Sequence, residues 1–514
     1  MKERSRMKNS FFNLVSGFVS RILGMLTAFV VRTIFIQCLN ADYLSVNGLY
    51  TSILSMLSLA ELGFGTAMVY SMYKPLAKED TKKLNQLMLL YKKVYNIIGG
   101  IILIIGVCLI PFLDYFIKNT PNISGLKFYY LLFLLNSVVS YWFFAYKNSL
   151  LQADQKAYIV NNYISIFNVI KSIIQTFLLI IYHNYTLYLL TQILCTIGQN
   201  IFISIQVNRT YQFLKEKTID KLSKKETKEI FKDVKALALS KISHVILNST
   251  DNIIISSFVG FKWVGLLSNF TLITDAVTSM LCQITSSLTG SLGNFIAKES
   301  KENSYILFKR IEFLNYWLYG FSTISLIILL NPFIMLWIGK EYVLSDEVVV
   351  VLSINFFIAG FMNTLWTFRS TLGLFTQGQY RPLIVSLINI FLSIALSFIW
   401  KVAGVLIGTT ISRACVNLWY DPWLIHNKGF KKPVKPFFIE YLFRILLLIF
   451  ITIILKMVSL IVFDGVVTVL NFVVMLIITI IITNIIFIVV YYKYDEFKYF
   501  YNLISNFVNE KINF

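Results

Sequence analysis

The residues most able to do chemistry in this chain are charges set in oily sequence. The stretch "SRILGMLTAFVVRTIF", residues 20–35, is apolar apart from Arg21, Arg32 and a few hydroxyls. Eleven positions separate the two arginines. At ~100° per residue that is close to three full turns, so both guanidiniums fall on one helix face. A second stretch, "NNYISIFNVIKSIIQ", puts Asn161, Asn168, Lys171 and Gln175 on one stripe, with Ser165 and Ser172 beside it. Such a stripe either glues helices or lines a path, and a central lysine favours the path. Lys147, Lys241 and Arg369 are further cations in apolar surroundings; Glu61, Asp251 and Asp275 are the acids. Each such charge costs roughly 2.5–3.5 kcal/mol at the bilayer centre, so it needs a partner, a wet cavity or a route to the interface.

The excess of cations suits an anionic substrate, and arginine matches phosphate oxygens two at a time. Arg21, Arg32, Lys147, Lys171, Lys241 and Arg369 are therefore the candidate contacts to a phosphate-bearing group. Lys147 and Arg369 could equally snorkel to the interface. The acids have two readings. Glu61 can pair with Arg21, and Asp251 or Asp275 with Lys241, as structural bridges. Alternatively they bind a coupling proton or cation.

No GxxxxGK[ST], HExxH, GxSxG or DxD occurs, and His183, His244 and His426 are scattered. Cys38, Cys108, Cys195, Cys282 and Cys415 fall singly in apolar runs, with no CxxC. The chain is thus expected to have no catalytic residue, no metal site and no cofactor. It reads as a transporter.

The elements that must position these charges are membrane helices. The 514 residues are 57% hydrophobic and only 14% charged, with a mean hydropathy of +0.70. Apolar runs near the ~20-residue length of a span recur from end to end. They predict an all-α polytopic membrane protein with about fourteen helices: 11–39, 43–72, 92–117, 127–151, 158–182, 185–208, 237–260, 264–296, 311–337, 346–373, 382–400, 402–425, 439–463 and 466–492. The connections alternate in charge. "RTYQFLKEKTIDKLSKKETKEIFKDVK" and "HNKGFKKPVKP" are basic, whereas "NADY", "HNY" and "FDG" carry no Lys or Arg. The positive-inside rule then puts both termini in the cytoplasm. The net charge of +20 reports topology and gives no reason to expect nucleic-acid binding.

Short polar matches repeat in order across the two halves. "LAKED" at 76 answers "IAKES" at 296, "LYKKV" at 90 answers "LFKRI" at 307, and "AYKNSL" at 145 answers "TFRSTL" at 367. At the same offset as the first match, Arg21 corresponds to Lys241. Six spans per repeat is even, so two parallel-related six-helix lobes are expected, with a site between them. The boundaries read as a first lobe over 1–208, a basic cytoplasmic connecting helix over 209–236, a second lobe over 237–428, and two further helices with an interfacial tail over 429–514.

"NLVSGFVSRILGMLTAFVVRTIFIQCL", "YLSVNGLYTSILSMLSLAELGFGTAMVYSMYKPLAKED", "LYKKVYNIIG" and "SLLQADQKAYI" resemble the polysaccharide-biosynthesis oligosaccharide flippases. That family belongs to the multidrug/oligosaccharidyl-lipid/polysaccharide exporter superfamily. The resemblance is strongest over about the first 160 residues and looser beyond. It implies alternating access and transfer of an undecaprenyl-pyrophosphate-linked oligosaccharide from the cytoplasmic to the outer leaflet of a bacterial cytoplasmic membrane. By the same resemblance Arg21 and Arg32 match a diphosphate-binding role, and 439–492 match a groove for the lipid tail; the other cations rest on physical argument alone. The implied partners are the lipid-linked glycan, the bilayer, and a polysaccharide polymerase with other assembly proteins. Three other functions remain open: a cation-coupled multidrug exporter of the same superfamily, a lipid II flippase, and a membrane polysaccharide polymerase. Short outer loops disfavour the polymerase, and a basic first half disfavours a pump for cationic drugs.

Overall fold

The computed structural model describes residues 2–61, 64–118, 123–215, 222–374, 377–378 and 380–512, and excludes the side chains of a few helical stretches, 235–241 among them. The described residues contain helices and no strand. Apolar sequence in lipid must satisfy its backbone internally, and helices do this within one segment. Among the described residues ten helices are long and apolar enough to cross a membrane, or eleven if a pair bent by 45° counts as one span. The chain is a multi-pass membrane protein. It divides into two compact units, Met1–Ser268 with Pro382–Ile390, and Asn269–Arg381 with Phe391–Phe514.

The first unit begins with α1 (Lys2–Cys38). The expected second span is broken by a 3-10 turn at Ser58–Glu61 into α2 (Ala41–Leu57) and α3 (Phe64–Ala77). Next comes α4 (Thr81–Leu109), then the bent pair α5 (Leu126–Trp142) and α6 (Asn148–Ala153). The bend is made at Phe144, which takes a left-handed φ of 59°. A side chain rarely adopts that region without a compensating reason. The helices α7 (Ala157–Tyr182) and α8 (Tyr185–Thr210) form a tight hairpin. His183 turns left-handed, and the Asn184 side chain accepts a bond from the Leu187 N–H to cap α8. The basic stretch from Lys224 onward runs without a break into α9 (Lys224–Ile254). Ser223 and Glu226 cap its start reciprocally, and Lys83 pairs with Glu226. The unit closes on the first turns of α10 (Phe261–Lys298).

The second unit holds the rest of α10, the hairpin of α11 (Lys301–Ile338) and α12 (Asp346–Thr371), most of α13 (Arg381–Leu424), and α14 (Lys435–Phe463), α15 (Val469–Tyr491) and α16 (Asp495–Ile512). The helix α13 contains two of the expected spans. Its backbone leaves helical geometry at Trp400 and Lys401, and the two legs fold back on each other. Ser393 on one leg donates to the Val405 carbonyl on the other at 3.0 Å. Gly404 makes that approach possible, since a Cβ there would lie 2.0 Å from the Leu396 carbonyl. The aromatic core of the unit packs Phe308, Phe368, Phe430 and Phe437 around buried His426. The tail helix α16 docks as an amphipathic helix should, with Phe497 stacked 5.8 Å from Trp317 and Glu496 bound to Lys309 at 2.8 Å.

Candidate functional site

The geometry of the charged stripe starts from how α1 meets α7. The α1 face "SGFVSRILG" carries Ser16, Gly17, Ser20 and Gly24 at near-helical spacing. Small residues let two membrane helices approach closely, and hydroxyls then bond across. Asn13 donates to the Gln155 carbonyl at 2.9 Å, Ser16 to Asn162 Oδ1 at 2.7 Å, and Ser165 to Ser20 at 2.5 Å. Contacts that advance together along both chains mean that α1 and α7 run parallel. A Cβ at Gly24, one turn beyond Ser20, would meet nothing within 4 Å, so there is open space at that position.

The register fixes the heights of the cations. Ser20 lies opposite Ser165, which places Lys171 level with the middle of the Arg21–Arg32 interval. At ~1.5 Å per residue the two arginines are separated by ~16 Å along the axis, with Lys171 about halfway. The helical phase fixes the side. Relative to the line joining the helices, Arg21 and Arg32 stand ~80–100° clockwise on α1. Asn168, Lys171 and Gln175 stand ~80–140° anticlockwise on α7. In a parallel pair these are the same side. Helical phase and this register therefore put three cations on one flank of the α1–α7 pair, a ladder with the amides at intermediate heights.

The neighbours of this ladder are polar and mostly neutral. Arg32 is half-buried and donates from Nη1 to Ser268 Oγ on α10 at 2.9 Å. Tyr188 of α8 lies within electrostatic reach of Arg32, and its carbonyl accepts from Gln175 Nε2 at 3.1 Å. Lys171 donates to Asn168 Oδ1 at 3.1 Å, and the half-buried thiol of Cys195 on α8 lies near it. Arg21 is exposed.

The other candidate residues are placed elsewhere. Lys147 is buried beside the α5–α6 bend, where it donates to Ser204 Oγ at 2.7 Å and Asn208 Oδ1 at 2.9 Å, with Phe144 under its ammonium. Arg369 is in the second unit. Its guanidinium is held by the carbonyls of Leu374 and Gln377 and by Asp421 at 3.4 Å, and Arg381 shares that aspartate at 2.6 Å. The Lys241 side chain lies outside the described residues. Glu61 ends the 3-10 turn after α2 and accepts from the Tyr95 hydroxyl at 3.3 Å. Asp251 is half-buried on α9, and Asp275 is exposed on α10 in the second unit. Among the described residues no cluster of His, Cys, Asp and Glu could hold a metal.

Two polar clusters escaped the sequence reading. Arg444 of α14 is buried between Glu312 of α11, which it contacts directly, and Glu440 at 2.6 Å. The signal was present: a lone Glu in "FKRIEFLN" and a lone Arg in "YLFRILLL". The Arg369–Asp421–Arg381 group is the second, and nothing in the spacing of those residues announces it. An apolar cavity of about 370 Å³ also lies in the second unit, between α11, α12 and α14, lined by Ile324, Ile354, Phe357, Ile445, Ile449 and Ile453.

No protein-family model matches the sequence, and no curated protein matches it closely enough to count as a relative. Solved structures do match. The lipid II flippase MurJ in an inward closed conformation aligns at 18% identity and a TM-score of 0.68, covering 94% of this chain and 98% of that one. An inward-facing multidrug resistance MATE family transporter of the MOP superfamily aligns at 14% identity and a TM-score of 0.61, covering 81% of this chain and 99% of its own. A mutant of the Vibrio cholerae MATE transporter VcmN aligns at 15% identity and a TM-score of 0.56, with 83% and 98% coverage. At these identities the likeness is one of fold, and the chain has the all-helical fold that the MurJ flippase and MATE transporters share.

Proposed function

We propose that this chain is a flippase. Its cargo is an undecaprenyl-pyrophosphate-linked oligosaccharide, carried from the cytoplasmic to the outer leaflet of a bacterial cytoplasmic membrane by alternating access, for surface polysaccharide export. The observation that carries this reading is the ladder of Arg21, Lys171 and Arg32 along one flank of α1 and α7. A pyrophosphate cannot enter hydrocarbon unless its charge is met by fixed cations or water. Two arginine forks with an ammonium between them offer successive phosphate contacts at different depths. Lys147, Lys241 and Arg369 remain candidates for additional phosphate contacts, while Glu61, Asp251 and Asp275 remain candidates for coupling. The apolar cavity beside α14 supports the reading for the other end of the cargo, since an isoprenoid tail needs a surface of branched aliphatic side chains. Both termini are assigned to the cytoplasm, from the basic connections.

A second reading has its own observation: the MurJ alignment spans nearly the whole of both chains. Lipid II also joins a pyrophosphate to a polyprenyl tail, so the same ladder would serve it. A chromosomal deletion separates the readings. Loss of surface glycan in viable cells, with intact lipid-linked repeat units accumulating on the cytoplasmic leaflet, supports oligosaccharide export. Arrested growth with accumulated lipid II supports the second reading. Unchanged glycan with altered drug susceptibility would overturn both.

A further inference from the structure

A cavity of about 470 Å³ lies in the first unit between α3, α4 and the α5–α6 bend. Its size is within the ~300–1,000 Å³ of small-molecule sites. The wall has a mixed character that neither a phosphate nor a lipid tail requires. Glu61, Asn148 and Gln152 supply a carboxylate and two amides, Ser140 and Thr66 supply hydroxyls, and Tyr141 supplies a ring. Tyr95 also lines the cavity; its ring is 5.7 Å from that of Tyr141.

Gly65 makes room for the carboxylate, because a Cβ there would lie 2.9 Å from Glu61 Oε1. One helical face of α3 continues from the cavity. Thr66, Tyr70 and Tyr73 follow at i, i+4 and i+7, and the two tyrosines are 68% and 48% exposed, with ring centroids 6.1 Å apart. The left-handed Phe144 sits in the bend that forms one side of the cavity.

We infer that this cavity binds a sugar ring of the saccharide cargo, with the α3 tyrosines as a stacking track for further rings. The inference rests on the flippase reading. Sugar hydroxyls can donate to the Glu61 carboxylate and the Gln152 amide oxygen and accept from the Gln152 amide and the Ser140 and Thr66 hydroxyls, while the C–H face of the ring lies on tyrosine. The same carboxylate repels a pyrophosphate, so the cavity suits the glycan end of the cargo and the ladder its phosphate end. A cationic drug would be drawn to Glu61 and the rings but would leave the amides unused.

The test uses the full chain in detergent, probed with undecaprenyl pyrophosphate and with a panel of undecaprenyl pyrophosphates each carrying one hexose or N-acetylhexosamine. The expected result is that at least one glycosylated lipid binds tenfold or more tightly than the bare one. Tyr141→Leu and Gln152→Ala should remove that increment and keep bare-lipid binding, which also shows that the variants are folded. If no sugar improves binding, or if the increment survives in both variants, the sugar site is wrong and the flippase reading stands. If neither bare nor glycosylated lipid binds, the flippase reading falls and this inference with it. Ethidium binding in the same cavity, lost in Glu61→Gln, would overturn the inference in favour of a cationic ligand.

Discussion

At the scale of single residues, Arg32 carries the sharpest expectation. It is half-buried and is already turned by Ser268. A lysine there keeps the charge but loses the planar fork. Arg32→Ala should therefore reduce transport of the lipid-linked saccharide by at least tenfold, and Arg32→Lys should fall between it and the wild type. The assay is translocation in proteoliposomes, with insertion checked by immunoblot. Equal activity for all three proteins would remove Arg32 from the substrate path. The arginine pair and its common face were legible in the sequence, because helical phase needs only residue numbers. So was the stripe holding Lys171. The fate of Lys147 and Arg369 was not. Whether a membrane cation meets cargo or is tied down depends on partners dozens of residues away, such as Ser204 for Lys147 and Asp421 for Arg369. No local spacing encodes them.

At the scale of elements, the buried trio of Glu312, Arg444 and Glu440 ties α14 to α11. Tyr316 reinforces the joint, donating to the Arg444 carbonyl at 3.2 Å and lying 4.9 Å beneath its guanidinium. Removing one partner of a buried ion pair strands the other and costs roughly 3–5 kcal/mol, whereas replacing the whole group with apolar side chains is often neutral. Arg444→Met strands two carboxylates and should lower the thermal midpoint in detergent more than Glu312→Gln does. The triple replacement Glu312→Leu, Arg444→Met, Glu440→Leu should recover much of the loss. A single Arg444→Met with unchanged melting would show that the trio does not hold the helices together. Helix existence was readable from apolar run length in nearly every case. Helix breaks were read less well. The Ser58–Glu61 turn and the Phe144 bend lie beside the lone charges Glu61 and Lys147 in otherwise apolar runs, which marked candidate site residues without marking a break. The opposite case is Trp400–Lys401, where one lone lysine in an oily run did mark a turn.

At the scale of the whole molecule, composition and run length were enough to specify an all-helical membrane protein, and the likeness to MurJ and MATE transporters is a likeness of that fold. How separate helices pool their side chains, as α3, α4 and α6 do around Glu61, was beyond sequence. The same pooling has a practical consequence at Cys195. This thiol comes from α8 yet lies within electrostatic reach of Lys171 of α7. Nature has therefore already installed a chemical reporter at mid-ladder. With Cys38, Cys108, Cys282 and Cys415 replaced by serine, a small charged methanethiosulfonate reagent should label Cys195 in membranes, since the reagent travels only through water. Added undecaprenyl pyrophosphate should slow the labelling several-fold. Unlabelled Cys195 in a folded, inserted protein would mean that the ladder is dry, and a dry ladder could not pass a pyrophosphate.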